Sequence, residues 1–228
     1  VAAVEHVLTF YGTGAIVLSG TYSGILVGSG ATDRVELKFT PTAGSLTLTV
    51  SGSATDWQLE EGSYATSVID TVSGTVTRAK DQFSKSGISS LINSAEGVLF
   101  VEMAASSDDG TNRILGMSNG SFNYSVLLRY ASGSNTITAQ VRLAGSYECT
   151  LNYTVTDALD FHKIAFKYKV DDFELWVGGF KRDYAENGNV VSGLDELSLS
   201  VSSSNQFYGN IKQLAHLPFD TDLAALTA

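Results

Sequence analysis

The sequence predicts an all-β protein built as two sandwiches in series, and three observations carry that prediction. Apolar and polar residues alternate in runs of strand length, as in "DRVELKF" and "TITAQVRL". Glycine occurs 22 times and proline twice, so the runs are punctuated by turn residues that rarely interrupt a strand. Charged residues make up only 17% of the chain, too few to clothe the wet faces of many amphipathic helices. A chain of 228 residues fits one large β domain or two smaller ones. The alternation lapses after residue 61 and resumes near residue 88, which predicts a small sandwich over 1–70, a linker over 71–87 and a larger two-sheet sandwich over 88–228.

In the first module, "EHVLTFYGTGAIVLSG" and "SGILVGSG" read as strands separated by glycine turns. "DRVELKFTPTAGSLTLTVSG" is expected to form a hairpin. Val35, Leu37 and Phe39 lie on one arm, Leu46, Leu48 and Val50 on the other, with Pro41 and Gly44 in the connection. "SATDWQLEEG" closes the module, for five or six strands around a thin core.

In the second module "GVLFVEMAA", "RILGMS", "YSVLLRYA", "NTITAQVRLA", "SYECTLNYTV" and "HKIAFKYKV" read as successive strands. "FELWVGG" follows, then a long loop "FKRDYAENGNVVSG", then "LDELSLSVS" and "FYGNIKQLAHL". The end, "DTDLAALTA", is expected to be a short helix capped by Asp220 or Thr221.

A two-residue turn at Asp171 and Asp172 would place Lys167 opposite Trp176. One face of that hairpin then holds Ile164, Phe166, Tyr168, Val170, Phe173, Leu175 and Val177, a core face. The other holds Lys167, Lys169, Glu174 and Trp176. Trp176 beside Lys167 is either a cation–π pair covering an exposed sheet or a platform on which a sugar ring stacks. The strand "TITAQVRL" puts Thr138, Gln140 and Arg142 on a polar face opposite Ile137, Ala139, Val141 and Leu143.

The chain carries 24 acidic and 14 basic residues, and such a surface repels phosphate backbones, so no nucleic acid partner is expected. No apolar run reaches the length of a membrane-spanning helix, so no membrane insertion is expected either. Cys149 is the single cysteine and cannot close an intrachain disulfide.

"FHKIAFKYKVDDFELWVGG" and "FYGNIKQLAHLPFDTDLAALT" resemble the hairpin, closing strand and terminal helix of concanavalin A-like, laminin-G-like lectin domains. Gly178 stands where that family usually has Asn. The resemblance implies a two-sheet jelly roll over residues 88–228. "QLEEGSYATSVIDT" with "VTRAKD" resembles a segment that recurs in bacteriophage tail fibres and other virion-associated proteins, between a carbohydrate-binding-like jelly roll and a lectin-like domain. That resemblance implies a homotrimeric receptor-binding segment, located in the virion tail, made in the host cytoplasm and acting outside the cell. Its implied partners are a bacterial surface polysaccharide and other virion proteins.

Catalytic patterns are not evident in the sequence. Glu60 and Glu61 are adjacent, so on a strand they point to opposite faces and cannot flank one glycosidic bond. His6, His162 and His216 fall on separate strands without metal-ligand spacing. Lys167, Arg142, Arg129 and His162 would have to converge to make a lyase-like cluster. The loop "SSDDGTN" offers Asp108 and Asp109 either to a structural Ca²⁺ or to a solvated turn, and no other cofactor is expected. The expected function is glycan recognition without catalysis, through Trp176, Lys167, Arg142, Gln140, Tyr184 and Asn187. A purely structural virion spacer and a polysaccharide-degrading enzyme are the alternatives.

Overall fold

In the computed structural model, which describes residues 1–78, 83–133, 135–201 and 206–228, the chain divides into two units, Val1–Ala79 and Lys80–Ala228. The first contains β1 (His6–Gly12), β2 (Ala15–Gly20), β3 (Gly24–Val27), β4 (Gly30–Phe39), β5 (Leu46–Ser51) and β6 (Thr55–Glu61). They form two three-stranded sheets, ordered β4-β1-β6 and β3-β2-β5. Leu8, Phe10, Ile16, Leu18, Leu26 and Phe39 fill the space between them.

The hairpin expected over residues 33–52 does not form. β4 pairs with β1, while β5 pairs with β2 in the opposite sheet. Val35, Leu37, Leu46 and Leu48 all pack on the same core cluster, so the two arms meet face to face across the sandwich. Alternation specifies which face is buried but not which strand lies alongside.

The stretch after β6 folds back onto sheet β4-β1-β6. Glu60 accepts the Thr66 amide at 3.0 Å and also the Thr66 hydroxyl. Gln58 Oε1 accepts the Ile69 amide at 2.7 Å. Arg34 donates to the Thr66 carbonyl and, at 2.7 Å, to Thr9 Oγ1. Arg78 donates to the Ser67 carbonyl at 2.7 Å. Polar side chains on the outer sheet face thus satisfy backbone groups of a segment that forms no strand of its own. Of the expected linker 71–87, Arg78 is bound to the first unit, 84–86 form a strand of the second, and 79–82 lie outside the described residues.

The second unit begins with β7 (Ser84–Ser86), a single 3₁₀ turn (Ser89–Leu91) and β8 (Glu96–Ala105). β9 (Arg113–Ser118), β10 (Ser125–Tyr130), β11 (Thr136–Leu143), β12 (Ser146–Thr154), β13 (His162–Lys169) and β14 (Asp172–Val177) follow. β15 (Phe180–Ala185), β16 (Glu196–Ser198), β17 (Gly209–Leu217) and α1 (Leu223–Thr227) complete it. One sheet is ordered β12-β11-β10-β9-β16-β7 and the other β15-β14-β13-β8-β17, both antiparallel. This is the all-β, two-sheet jelly-roll architecture with a terminal helix that the sequence predicts. Leu99, Val101, Met103, Leu128, Ile137, Phe166 and Phe173 are among the residues buried between the sheets.

Three local expectations are corrected. The hairpin register pairs Lys167 with Glu174 and Ala165 with Trp176, so the turn is Val170-Asp171. Asp171 takes the left-handed conformation at φ 58°, which Asp tolerates, and Val170 leaves the core face and lies exposed. The first half of the long loop after Gly179 is strand β15, paired to β14 through a bulge at Leu175–Trp176. Asp222, rather than Asp220 or Thr221, caps α1 by accepting the Ala225 amide at 3.1 Å.

Candidate functional site

The expected site residues divide between opposite sheets of the second unit. Lys167 on β13, Trp176 on β14 and Tyr184 on β15 share the outer face of the five-stranded sheet. Gln140 and Arg142 on β11 share the outer face of the six-stranded sheet, since Ile137, Ala139 and Val141 point into the core. Asn187 lies in the exposed loop after β15.

On the five-stranded sheet, Glu174 organises the charges. It lies 3.4 Å from Lys167 Nζ and 3.3 Å from Lys181 Nζ, and its Oε2 accepts the Trp176 indole N–H at 2.6 Å. Burial opposes its ionisation, but the Trp176 hydrogen bond and the two lysines outweigh burial and hold its pKa below the ordinary value. Trp176 is not a free-standing platform. Its ring packs on a second small core of Val98, Phe100, Ala165 and Leu223, which α1 completes with Leu226. Lys167 does not ride on Trp176 either; its Nζ lies 4.4 Å from the Phe219 ring centroid.

The outer face of the six-stranded sheet is differently built. Ser125, Leu127 and Arg129 on β10 alternate with the core-facing Val126, Leu128 and Tyr130, and lie beside Thr138, Gln140 and Arg142. Gln140 is only 3% exposed and spends its amide on Thr150 Oγ1 at 3.3 Å, so it positions a neighbour and is not itself presented. Thr138 likewise donates to Asn152 Oδ1 at 2.8 Å.

Arg142 is half-buried on the same face. Its guanidinium carbon lies 4.1 Å from the Phe122 ring centroid and 4.9 Å from that of Tyr147, and Nη2 donates to the Gly145 carbonyl at 2.8 Å. Tyr147 is 53% exposed, and Thr150 and Asn152 on the same strand are exposed as well. The result is a planar cation packed against two rings, with the Thr150 hydroxyl and then the Asn152 amide farther along the same outer face. Arg142 Nε and Arg129 Nε carry no hydrogen-bond partner, although both are shielded from solvent. Phe122 lies in a turn, and Tyr147 alternates in step with the core-facing Cys149 and Leu151, so the sequence assigns neither to the outer face; Tyr147 reaches Arg142 through the bulge between Val141 and Arg142.

The remaining candidates stay apart. Arg129 Nη1 reaches toward Asn112 Oδ1 at 3.4 Å, and His162 Nε2 lies 2.7 Å from the Asp157 carbonyl at the start of β13. With Lys167 on the other sheet, the lyase-like quartet does not assemble. Asp109 is engaged by Arg113 at 2.9 Å and by the Thr111 amide at 3.0 Å. Among the described residues, no three His, Cys, Asp or Glu side chains gather as a metal site.

The sequence matches no family model and no curated protein. Solved structures do resemble it in chain path. The CBM40 module of Ruminococcus gnavus IT-sialidase bound to α2,3-sialyllactose is similar at TM-score 0.48 and 16% identity, over 59% of this chain and 83% of that one. Sheep galectin-11 in complex with glycerol gives 0.42 and 7%, over 61% of this chain and 100% of that one. The carbohydrate-binding module CBM66 from Bacillus subtilis gives 0.40 and 10%, over 59% and 77%.

Proposed function

We propose that the chain is a glycan-binding, non-catalytic segment whose larger sandwich takes a bacterial surface polysaccharide on the outer face of its six-stranded sheet. The observation that carries this reading is the Arg142 guanidinium packed against Phe122 and Tyr147, with exposed Thr150 and Asn152 farther along the same outer face. A sugar ring presents an apolar C–H face and an edge of hydroxyls. The exposed Tyr147 ring matches the first and the planar donors of Arg142 match the second, while Thr150 and Asn152, farther along the strand, face successive residues of a polymer. Clamping by two rings removes rotamer freedom from a long side chain before binding, which lowers the entropy lost when a ligand arrives.

In this reading the chain belongs to a bacteriophage tail fibre, assembles as a homotrimer and contacts other virion proteins. That part is supported by the resemblance of residues 58–81 to virion segments. Sedimentation equilibrium of the chain at micromolar concentration tests it, and a monomer counts against it.

Calorimetry against purified host surface polysaccharide tests the site. Tyr147→Ala and Arg142→Ala should each weaken binding by about tenfold or more, as truncating an aromatic or arginine anchor does. Binding that ignores both substitutions, or no binding to any member of a glycan array, would instead favour the spacer reading. Release of reducing ends from that polysaccharide would favour the enzyme.

A further inference from the structure

A groove of the second unit lies at the rim where the 3₁₀ turn meets the end of β17. It has a volume of about 700 Å³, within the size range of small-ligand sites. One wall is Ser90–Asn93 with Glu96, and the other is His216 and Leu217 followed by Pro218–Asp220. Neither wall belongs to the Arg142 clamp.

The walls are fixed from behind. Tyr168, fully buried, donates its hydroxyl to the Asn93 carbonyl at 2.8 Å and lies 3.0 Å from His216 Nε2. Gly97 makes this meeting possible, because a Cβ there would lie 2.5 Å from His216 Nε2 and 3.0 Å from the Tyr168 oxygen. Burial pushes the His216 pKa down, against the Leu91 carbonyl that pulls it up, so the imidazole stays neutral near pH 7. Phe219 is held by Lys167 and Lys169, whose Nζ atoms lie 4.4 and 4.8 Å from its ring centroid, and Lys169 is in turn tied to Glu96 at 2.9 Å.

The lining is divided in a way that selects a ligand. Leu91, 73% exposed, Phe219 and Pro218 supply apolar surface. Asn93, Glu96 and Asp220 supply an amide and two carboxylates, and carboxylates at the mouth repel anions while accepting hydroxyl protons. The two lysines beside Phe219 are already paired, Lys169 with Glu96 and Lys167 with Asp172 and Glu174, which disfavours a phosphate or uronate there.

We propose that this rim groove is a second saccharide site, selective for short neutral oligosaccharides that lay a C–H face on Leu91 and Phe219 and direct hydroxyls to Asp220 and Asn93. It operates independently of the sheet-face site, so a single polymer chain or two separate chains can be engaged by one copy of the unit.

The test uses the full chain, isotopically labelled, titrated with neutral glucose, mannose and galactose trisaccharides and, as a contrast, a uronate trisaccharide. At least one neutral probe should shift the amide resonances of Leu91, Asn93, His216 and Asp220 with a dissociation constant at or below ~1 mM. Leu91→Ser and Asp220→Asn, both at exposed positions that leave the core intact, should weaken that binding by about tenfold together, as loss of one apolar and one polar contact does. Arg142→Ala should leave it unchanged. The proposal is overturned if no neutral probe moves the groove resonances, if the uronate binds there in preference, or if the groove response disappears with Arg142→Ala while surviving Leu91→Ser and Asp220→Asn. Failure of the sheet-face reading alone would remove the Arg142-dependent binding and leave the groove response in place.

Discussion

Trp176 donates its indole N–H to Glu174 two residues earlier on the same strand, at 2.6 Å, while its ring lies under α1. The side chain is therefore spent on docking the helix to the sheet. Trp176→Phe keeps most of the apolar contact and loses a hydrogen bond to a charged group, which should cost about 1.5–3 kcal/mol in urea unfolding. Trp176→Ala should cost more, about 3–5 kcal/mol, because it also opens a cavity between α1 and β14. Polysaccharide affinity should change with neither. A selective loss of binding at unchanged stability would return Trp176 to the role of platform.

Glu60 makes a second case in which a residue suggestive of chemistry proves structural. It accepts two hydrogen bonds from Thr66, and Gln58 accepts one from Ile69, so residues 63–78 are strapped to the first sandwich by the side chains of β6. Glu60→Ala should free the strap at a cost of about 1–3 kcal/mol, the penalty for orphaning partly buried donors. Limited proteolysis should then cut within residues 63–78 well before the sandwich itself is attacked. If the cleavage pattern matches that of the unaltered chain, the strap is held by something other than Glu60.

These residues also show what was legible beforehand. Period-two alternation identified both faces of β13 and β14, and a turn misplaced by one residue left the faces intact because the register moved by an even step. The same alternation failed over residues 30–51, where partners across a sandwich and partners alongside in a sheet produce one pattern. β15 escaped notice because Phe180, Lys181 and Arg182 are all exposed at a sheet edge and show no buried period. Trp176 was placed on the right face but not beneath α1, since a five-residue helix leaves almost no periodicity to read. The rim groove could not be anticipated at all, because its walls come from the two ends of the second unit.

His216 makes the second unit sensitive to acid. Its folded pKa lies below the ordinary value because burial penalises the cation, so the unfolded chain binds the proton more readily. Stability is then fully present above the unfolded value, about 6.5, and falls as pH drops from there toward the lower folded value. Glu174 adds to this only at more acid pH, since its depressed pKa makes its contribution disappear as pH falls below the ordinary carboxylate range. Thermal unfolding from pH 7 to 5 should therefore show a decline that His216→Gln flattens, while Glu174→Gln should alter only the more acid limb. An unchanged slope in His216→Gln would mean that the imidazole is not the group being protonated.

Cys149 reports on the integrity of the larger sandwich. It is 4% exposed on β12, in the core cluster, and burial together with the nearby Asp183 charge pushes its thiol pKa up to about 12. Only the thiolate attacks an alkylating reagent, and at pH 8 a thiol with that pKa is almost wholly protonated as well as enclosed. In native buffer, modification should be limited by opening of the sheet; in denaturant, it should proceed at the rate of an ordinary exposed cysteine. Because β12 lies at the edge of the six-stranded sheet and carries Tyr147, Thr150 and Asn152, the native rate measures how firmly the proposed glycan face is held. Saturating polysaccharide should slow modification further if it binds that face, and a trisaccharide confined to the rim groove should not. Rapid alkylation of the native chain would show that β12 detaches readily, and a clamp built on that strand could not then be pre-formed.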